Sequence, residues 1–276
     1  MKGSLFTTAL YTGQVWIRAG VPCADLFECN EAKLVHGAST FLMSAGQLFR
    51  SDGPQLEPAL VQRHRMMDAL VEEFEGRYVL ELAAGLSPRG ARFSSSEALH
   101  YIEVDLAPVL SVKRALLART VQGQEVALRE NIEFVAGDLR SMDLADLVPP
   151  GEPVLVIGEG LFMYLNAQEQ RSLWQRIAAL ISGRAGSRLV FDLVPSCEQA
   201  PGGTAGRLLG RVMGVFTGGK GFALDERTRE DLCRDLRQCG LVSPRFISPR
   251  EAPESWCVPH LELSTEQLLF VAEASA

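Results

Sequence analysis

The 276-residue chain lacks several features, and each absence narrows its function. No apolar run approaches the roughly 18 residues of a membrane span, which excludes a multispanning membrane protein. There is no basic excess. Lys plus Arg is 27 against 34 for Asp plus Glu, a net charge of −7. A protein with a pI near 5.3 lacks the overall field that draws in nucleic acid or an anionic membrane surface. The six cysteines, at 23, 29, 197, 233, 239 and 257, form no C-x-x-C pair, and no His stands at zinc-ligand spacing. They are too sparse for a disulfide scaffold, and the expectation is reduced thiols in a cytoplasmic protein. Met1 to Leu10 has no sustained apolar stretch, so no secretion signal is expected.

The chain does have the means to build a core. Hydrophobic residues make up 47% and charged ones 22%, enough for one large α/β domain. Five short runs rich in branched and aromatic residues read as strands: Tyr78–Leu82, Tyr101–Asp105, Ile132–Ala136, Pro153–Gly158 and Ser187–Leu193. Helical patterns lie between them. Pro108 to Val121 opens with a Pro suited to a first turn, and Asn166 is a plausible N-cap for Ala167 to Ile181. Asp225 or Thr228 starts a helix running to Cys239, and Gly240 stops it. Two late strands, Val242–Ile247 and Gln267–Ala272, suggest an added antiparallel pair at one edge. Alternating strand and helix predicts an α/β fold with a mostly parallel, doubly wound sheet of about seven strands, one antiparallel near the edge.

Residues 1–70 read instead as helical, over Asp25 to Phe49 and Leu56 to Phe74, and are expected to cap the sheet's ligand face as part of the same domain. Residues 71–276 form the core. Within it, 196–224 is rich in Gly and is expected to be a lid, since loops this long are usually functional or disordered.

Parallel sheets of this kind bind ligands beyond the carboxyl ends of their strands, so the residues after each strand carry the chemistry. The first strand runs into Ala83-Ala84-Gly85-Leu86-Ser87-Pro88-Arg89, small residues that let a ligand approach the backbone. A P-loop fails here, because Arg89-Gly90-Ala91 stands where Gly-Lys-Ser/Thr is needed. A dinucleotide fingerprint is weak, because position 83 is Ala. A serine nucleophile at Ser87 fails because Pro88 has no N–H for an oxyanion. The second strand ends in Asp105, able to accept both hydroxyls of a ribose. The third runs into Asp138-Leu139, a carboxylate for an exocyclic amine beside an apolar side chain for a ring. The fourth runs into Gly158-Glu159-Gly160, where Glu159 faces the cationic part of a ligand. A ligand with ribose, adenine and positive charge, bound without a phosphate cradle, fits S-adenosylmethionine better than NAD or ATP.

These blocks, from Glu81-Leu-Ala-Ala-Gly-Leu-Ser-Pro-Arg89 through Glu103-Val-Asp105, Lys113-Arg114 and Gly137-Asp-Leu-Arg140 to Glu159-Gly-Leu-Phe-Met-Tyr164-Leu, resemble in order and spacing the leucine carboxyl methyltransferase family. The resemblance is to its bacterial branch linked to polyketide O-methylation, and spans roughly residues 60–195. It implies a Rossmann-like class I methyltransferase with S-adenosyl-L-methionine as cofactor. Position by position, it implies that Gly85 lines the methionine portion, Asp105 holds the ribose, and Asp138 and Leu139 hold adenine. Glu159 would approach the methionine amino group and Arg63 the carboxylate, with Arg65 as rival. Glu81, Ala83 and Leu106 complete the cofactor-facing set. Tyr164 would face the acceptor as the catalytic residue, and Arg18 resembles an N-terminal basic position near the site. The family usually has Gly where Ala83 stands and an acid where Ser87 stands. Ala83 adds a methyl against the cofactor; Ser87 removes a charge near the pocket.

The expected reaction is methyl transfer to an oxygen of a small-molecule acceptor, with alignment and exclusion of water as the protein's main work. A carboxylate is already ionised at pH 7. A phenol, of pKa about 10, would benefit from a base, for which His36 and His64 are candidates. A protein C-terminus is a less favoured acceptor. The alternatives are a non-catalytic binder that keeps the fold and, less favoured, an NAD-dependent oxidoreductase. No nucleic-acid partner, membrane or metal is expected.

Overall fold

The structure is a computed structural model that describes residues 4–47, 56–193, 195, 225–263 and 268–274. The expected lid at 196–224 lies outside the described residues. Seven strands make one sheet: β1 (Tyr78–Leu82), β2 (His100–Asp105), β3 (Ile132–Ala136), β4 (Val154–Gly158), β5 (Arg188–Asp192), β6 (Leu241–Ile247) and β7 (Leu269–Ala274). Their spatial order is β3-β2-β1-β4-β5-β7-β6. Strands β1 to β5 pair in parallel, and β7 runs antiparallel between β5 and β6. The order reverses between β1 and β4, which places the ligand crevice at their carboxyl ends.

Alternation along the strands builds two cores. On one face, Leu80, Leu82, Val156, Leu189 and Phe191 pack with Leu173, Trp174 and Ile177 of α7 (Ala167–Ile181). On the other, Val79, Tyr101, Leu155, Ile157 and Val190 pack with Met66, Met67 and Leu70 of α3 (Leu56–Glu72). The middle strands are covered on both faces, which is why β4 is buried at all five positions and reads as a continuous apolar run.

After the short helix α4 (Arg89–Phe93), the helix expected over Pro108 to Val121 is α5 (Ala107–Leu117), ending four residues early, and an unexpected second helix, α6 (Val121–Ala127), follows it. Thr120 is the reason: its side chain accepts from the Gly123 N–H and caps α6. Asn166 and Thr228 are the N-caps of α7 and α8 (Arg229–Gln238), both with complete capping boxes. The N-terminal region forms α1 (Ser4–Arg18), a short 3-10 turn (Ala24–Phe27) and α2 (Asn30–Gln47). Among the described residues no helix is long and apolar enough to cross a membrane.

Helix α1 lies against the strand-end turns. Its Trp16 ring lies tilted against that of His64, with centroids 4.7 Å apart. Tyr164, in the 3-10 turn Phe162–Tyr164 after β4, donates a hydrogen bond to the Thr8 hydroxyl at 3.3 Å. Gly85 sits so close to Ala9 that an added Cβ would lie 3.3 Å from the Ala9 methyl.

Candidate active site at the carboxyl ends of the strands

The turn after β1 is built from left-handed backbone. Ala83 has φ +56° and Gly85 φ +53°. For Gly85 this is unstrained; for Ala83 it costs about 1–2 kcal/mol, because Cβ crowds the following carbonyl. The turn aims the Gly85 N–H at Asp105 Oδ2, 2.7 Å away, while the Leu106 N–H donates to Oδ1 at 2.6 Å. Burial pushes the Asp105 carboxyl up, and these backbone donors pull it partly back. A carboxylate offers about four acceptor sites, so these two donors leave two. Leu106, 37% exposed, offers an apolar surface beside it.

At the ends of β4 and β5 the acids are bound into a buried ion network. Arg63 on α3 donates through Nε to Glu159 Oε1 at 3.0 Å and through Nη1 to Asp192 Oδ2 at 2.9 Å. Arg89, fully buried, donates to Asp68 Oδ1 at 2.7 Å, to Glu81, and to Glu159 Oε2 at 2.8 Å. His64 Nδ1 lies 3.0 Å from Glu159 Oε2, and its Nε2 faces Asp68 Oδ1 at 3.7 Å, beyond hydrogen-bond reach. Burial alone would raise the Glu159 carboxyl, but His64, Arg89 and Arg63 hold it well below the usual carboxylate range. Gly160, at φ +63°, leaves room for the Arg63 guanidinium, which an added Cβ would meet at 3.4 Å.

The expected residues are therefore brought together unevenly. Ala83, Gly85, Asp105 and Leu106 line one side of the strand ends; Arg63, Glu159 and Tyr164 lie on the other. Arg65 is excluded from the site, being paired with Glu72 at the surface. Glu81 lies beneath the turn, its oxygens accepting from Arg89 and the Tyr101 hydroxyl. Asp138 is half-buried and clasped by Arg140, which pulls its carboxyl down to about 2. Leu139 is buried in the core. The Ala83 methyl also packs against that core. Arg18 and His36 meet at Glu57, Arg18 at 3.8 Å and His36 at 3.0 Å, and His36 stacks on Tyr11, so this pair forms a separate cluster between the N-terminal helices. Burial raises the Tyr164 hydroxyl, so it stays protonated at neutral pH and acts as a donor.

Asp192, His64, Arg89 and Asp68 are site-building residues that strand-end reading did not place. For Asp192 the signal was present, since it closes β5 as Asp105 closes β2. The others come from helices, and only packing brings them in.

The geometry selects the charge of a ligand. The carboxylates of Asp68, Glu81, Asp105, Glu159 and Asp192, five in all, face three guanidiniums, Arg63, Arg89 and Arg92, and one imidazole, His64. The acids are in excess even with His64 protonated, which suits a cationic ligand and opposes a phosphate. Among the described residues no cluster suited to a metal ion occurs.

Comparison with known proteins agrees with this reading. A protein assigned as an S-adenosyl-L-methionine-dependent methyltransferase of Mycobacterium marinum is 32% identical over 152 residues, covering 52% of this chain and 47% of that protein. The tetracenomycin polyketide synthesis O-methyltransferase TcmP of Streptomyces glaucescens is 26% identical over 132 residues, 45% of this chain and 44% of TcmP. The matches thus span about half the length of these curated relatives. In fold, the chain superposes on a protein assigned as a methyltransferase from Thermobifida fusca with TM-score 0.60 at 17% identity, covering 90% of each chain. It superposes on the mitomycin 7-O-methyltransferase MmcR with TM-score 0.55 at 15% identity, over 98% of this chain and 66% of MmcR. The model of the leucine carboxyl methyltransferase family matches residues 26–178, more than half of the sequence, and the chain belongs to that family.

Proposed function

We propose that this protein is an S-adenosylmethionine-dependent O-methyltransferase that acts on a small-molecule acceptor, a carboxylate by preference and a hydroxyl as second choice. The observation that carries the reading is the acid excess at the strand ends, with Asp105 held by two backbone donors. When bound, the cofactor supplies a methyl group on a cationic sulfur for displacement by an acceptor oxygen. Asp105 would accept from the ribose hydroxyls and Leu106 would lie along the adenine. Arg63 and Glu159 would hold the carboxylate and ammonium ends of the methionine portion. Tyr164 would orient the acceptor by donating a hydrogen bond, and α1 would exclude water.

The preference for a carboxylate rests on proton chemistry. Among the described residues at the strand ends, Tyr164 keeps its own proton and His64 is built into the ion network. An acceptor that is already an anion needs no base. TcmP, whose name records an O-methylation in polyketide synthesis, supports oxygen as the acceptor atom.

The test is calorimetric titration of the protein and an Asp105→Ala variant with S-adenosylhomocysteine, followed by a methyl-transfer screen of aromatic acids and phenols. Micromolar binding, weakened at least thirtyfold in the variant, is expected. Two lost charge-assisted hydrogen bonds, each about 1.5–3 kcal/mol, account for that loss. Absence of binding overturns the cofactor reading; binding without turnover on any acceptor makes the protein a non-catalytic binder.

A further inference from the structure

The cofactor-facing turn has a second anchor that lies outside the ligand crevice. Lys113 of α5 is fully buried, its side chain only 1% exposed. Its ammonium donates to the Ser87 carbonyl at 2.7 Å, forms an ion pair with the Glu103 carboxylate, and sits 5.1 Å from the centre of the Phe27 ring. One side chain therefore joins the end of the turn after β1, strand β2 and the N-terminal 3-10 segment. Burying an ammonium is costly unless its donors are matched, and here the carbonyl, the carboxylate and the ring face share that task.

Among the described residues, the other hydrogen bonds of Ser87 stay within its own turn, its N–H donating to the Ala84 carbonyl at 2.8 Å and its hydroxyl accepting from the Arg89 N–H at 3.3 Å. The other end of the turn is held from β2, through Ala84 N–H to the Val104 carbonyl at 3.2 Å and Gly85 N–H to Asp105. With Ala83 and Gly85 both left-handed, the turn needs holding at both ends to keep the Gly85 N–H on Asp105. Gly90 packs directly on Glu103 Oε1, where a Cβ would collide with it, so the carboxylate is confined on that side.

We infer that Lys113 is a positioning residue for cofactor binding: its ammonium, braced by Glu103, tethers Ser87 and so fixes the turn that aligns Gly85 with Asp105. The inference rests on the cofactor reading above, but its physical core, a tethered turn, can be tested without cofactor.

The variant is Lys113→Met with Glu103→Gln, which removes the tether and leaves no unpaired buried charge. Amide exchange followed by mass spectrometry over residues 83–88, and calorimetric titration with S-adenosylhomocysteine, are read on the full chain. Expected are exchange at least tenfold faster in that turn, with exchange in β4 and β5 unchanged, and affinity about tenfold weaker, the loss of one hydrogen bond to a charged donor. A folded double variant with wild-type exchange in the turn, or with faster exchange and wild-type affinity, overturns the inference. If the intact protein does not bind S-adenosylhomocysteine, the cofactor reading falls, and the exchange result alone decides whether Lys113 tethers the turn. If the double variant does not fold, Glu103→Gln alone carries the test, because it removes the brace. Exchange over 83–88 should quicken and affinity weaken, each at least threefold, and parent values for both overturn the inference.

Discussion

At the ends of β1 and β2, the Asp105 carboxylate accepts from two backbone N–H groups. At the ends of β4 and β5, Glu159 and Asp192 are instead met by Arg63, Arg89 and His64, and the Gly160 N–H also donates to Asp192. Both halves supply donors to buried acids, the first from the backbone alone and the second chiefly from charged side chains. The second is a prebuilt ion network in which a ligand's ammonium or carboxylate must exchange for a partner already present. Affinity for the ribose end should therefore depend on local geometry, and affinity for the methionine end on how the network rearranges.

The contrast is broken most severely at Arg89. Arg89→Met leaves Asp68, Glu81 and Glu159 short of a counter-charge in a buried place, and a loss of about 3–5 kcal/mol of stability is expected, measured by urea unfolding. Removing one partner of a buried network costs more than the network as a whole contributes.

The next effect lies within the carboxylates of the first half. Asp105→Ala should weaken S-adenosylhomocysteine at least thirtyfold, whereas Asp138→Asn should change it less than threefold, because Asp138 is already chelated by Arg140. Equal losses in the two titrations would show that Arg140 releases Asp138 to the ligand.

A pH effect separates Glu103 from the network acids. Burial pushes its carboxyl from 4.5 up to about 7, with the Lys113 ammonium opposing and Glu81 adding to the rise. A folded value above the unfolded one means that the protonated form favours the native state. Stability from this group is complete below about 4.5 and is lost as pH rises toward about 7. Glu159, held low, contributes with the opposite sign, its share being lost as the pH falls below the carboxylate range. The melting temperature of Glu103→Gln relative to the parent should therefore be more favourable at pH 8 than at pH 5. The difference should be on the order of 1–3 kcal/mol, and a parallel pair of curves would place the Glu103 carboxyl in its ordinary range.

The smallest effect is expected at Ala83. Ala83→Gly relieves left-handed strain but frees the unfolded chain and removes a methyl from the core, so the net stability change should be under about 1 kcal/mol. Because the methyl packs against the core, S-adenosylhomocysteine affinity should stay within threefold. A tenfold gain in the titration would mean that the methyl stands in the cofactor's way.

Much of this arrangement was legible before folding. The five parallel strands, the capped helices α7 and α8, and the late strand pair follow from period, branching and turn residues. Asp105 and Glu159 follow from the rule that ligands meet such sheets at their carboxyl ends. The early end of α5 and the start of α6 were missed because Thr120 reads as a Thr in a helix's last turn until its hydroxyl is seen on the Gly123 N–H. Arg18 and His36 were expected near the acceptor and instead share Glu57, because which face of a helix meets which neighbour depends on crossing geometry that short-range patterns do not contain.

The amino-acid order by itself determined the strands, their alternation with helices and the acids that follow them, since these depend on local propensity and on spacing along the chain. Only the tertiary structure decided what each acid does. Asp105 and Asp138 follow strands in the same way, yet one is buried on backbone donors and the other is half-buried against an Arg. Arg89 stands eight residues from Glu81, but Asp68 and Glu159 reach it only through α3 and β4. Charge in a low-dielectric interior takes its properties from whichever groups packing brings within a few ångströms, and that is set by the whole fold.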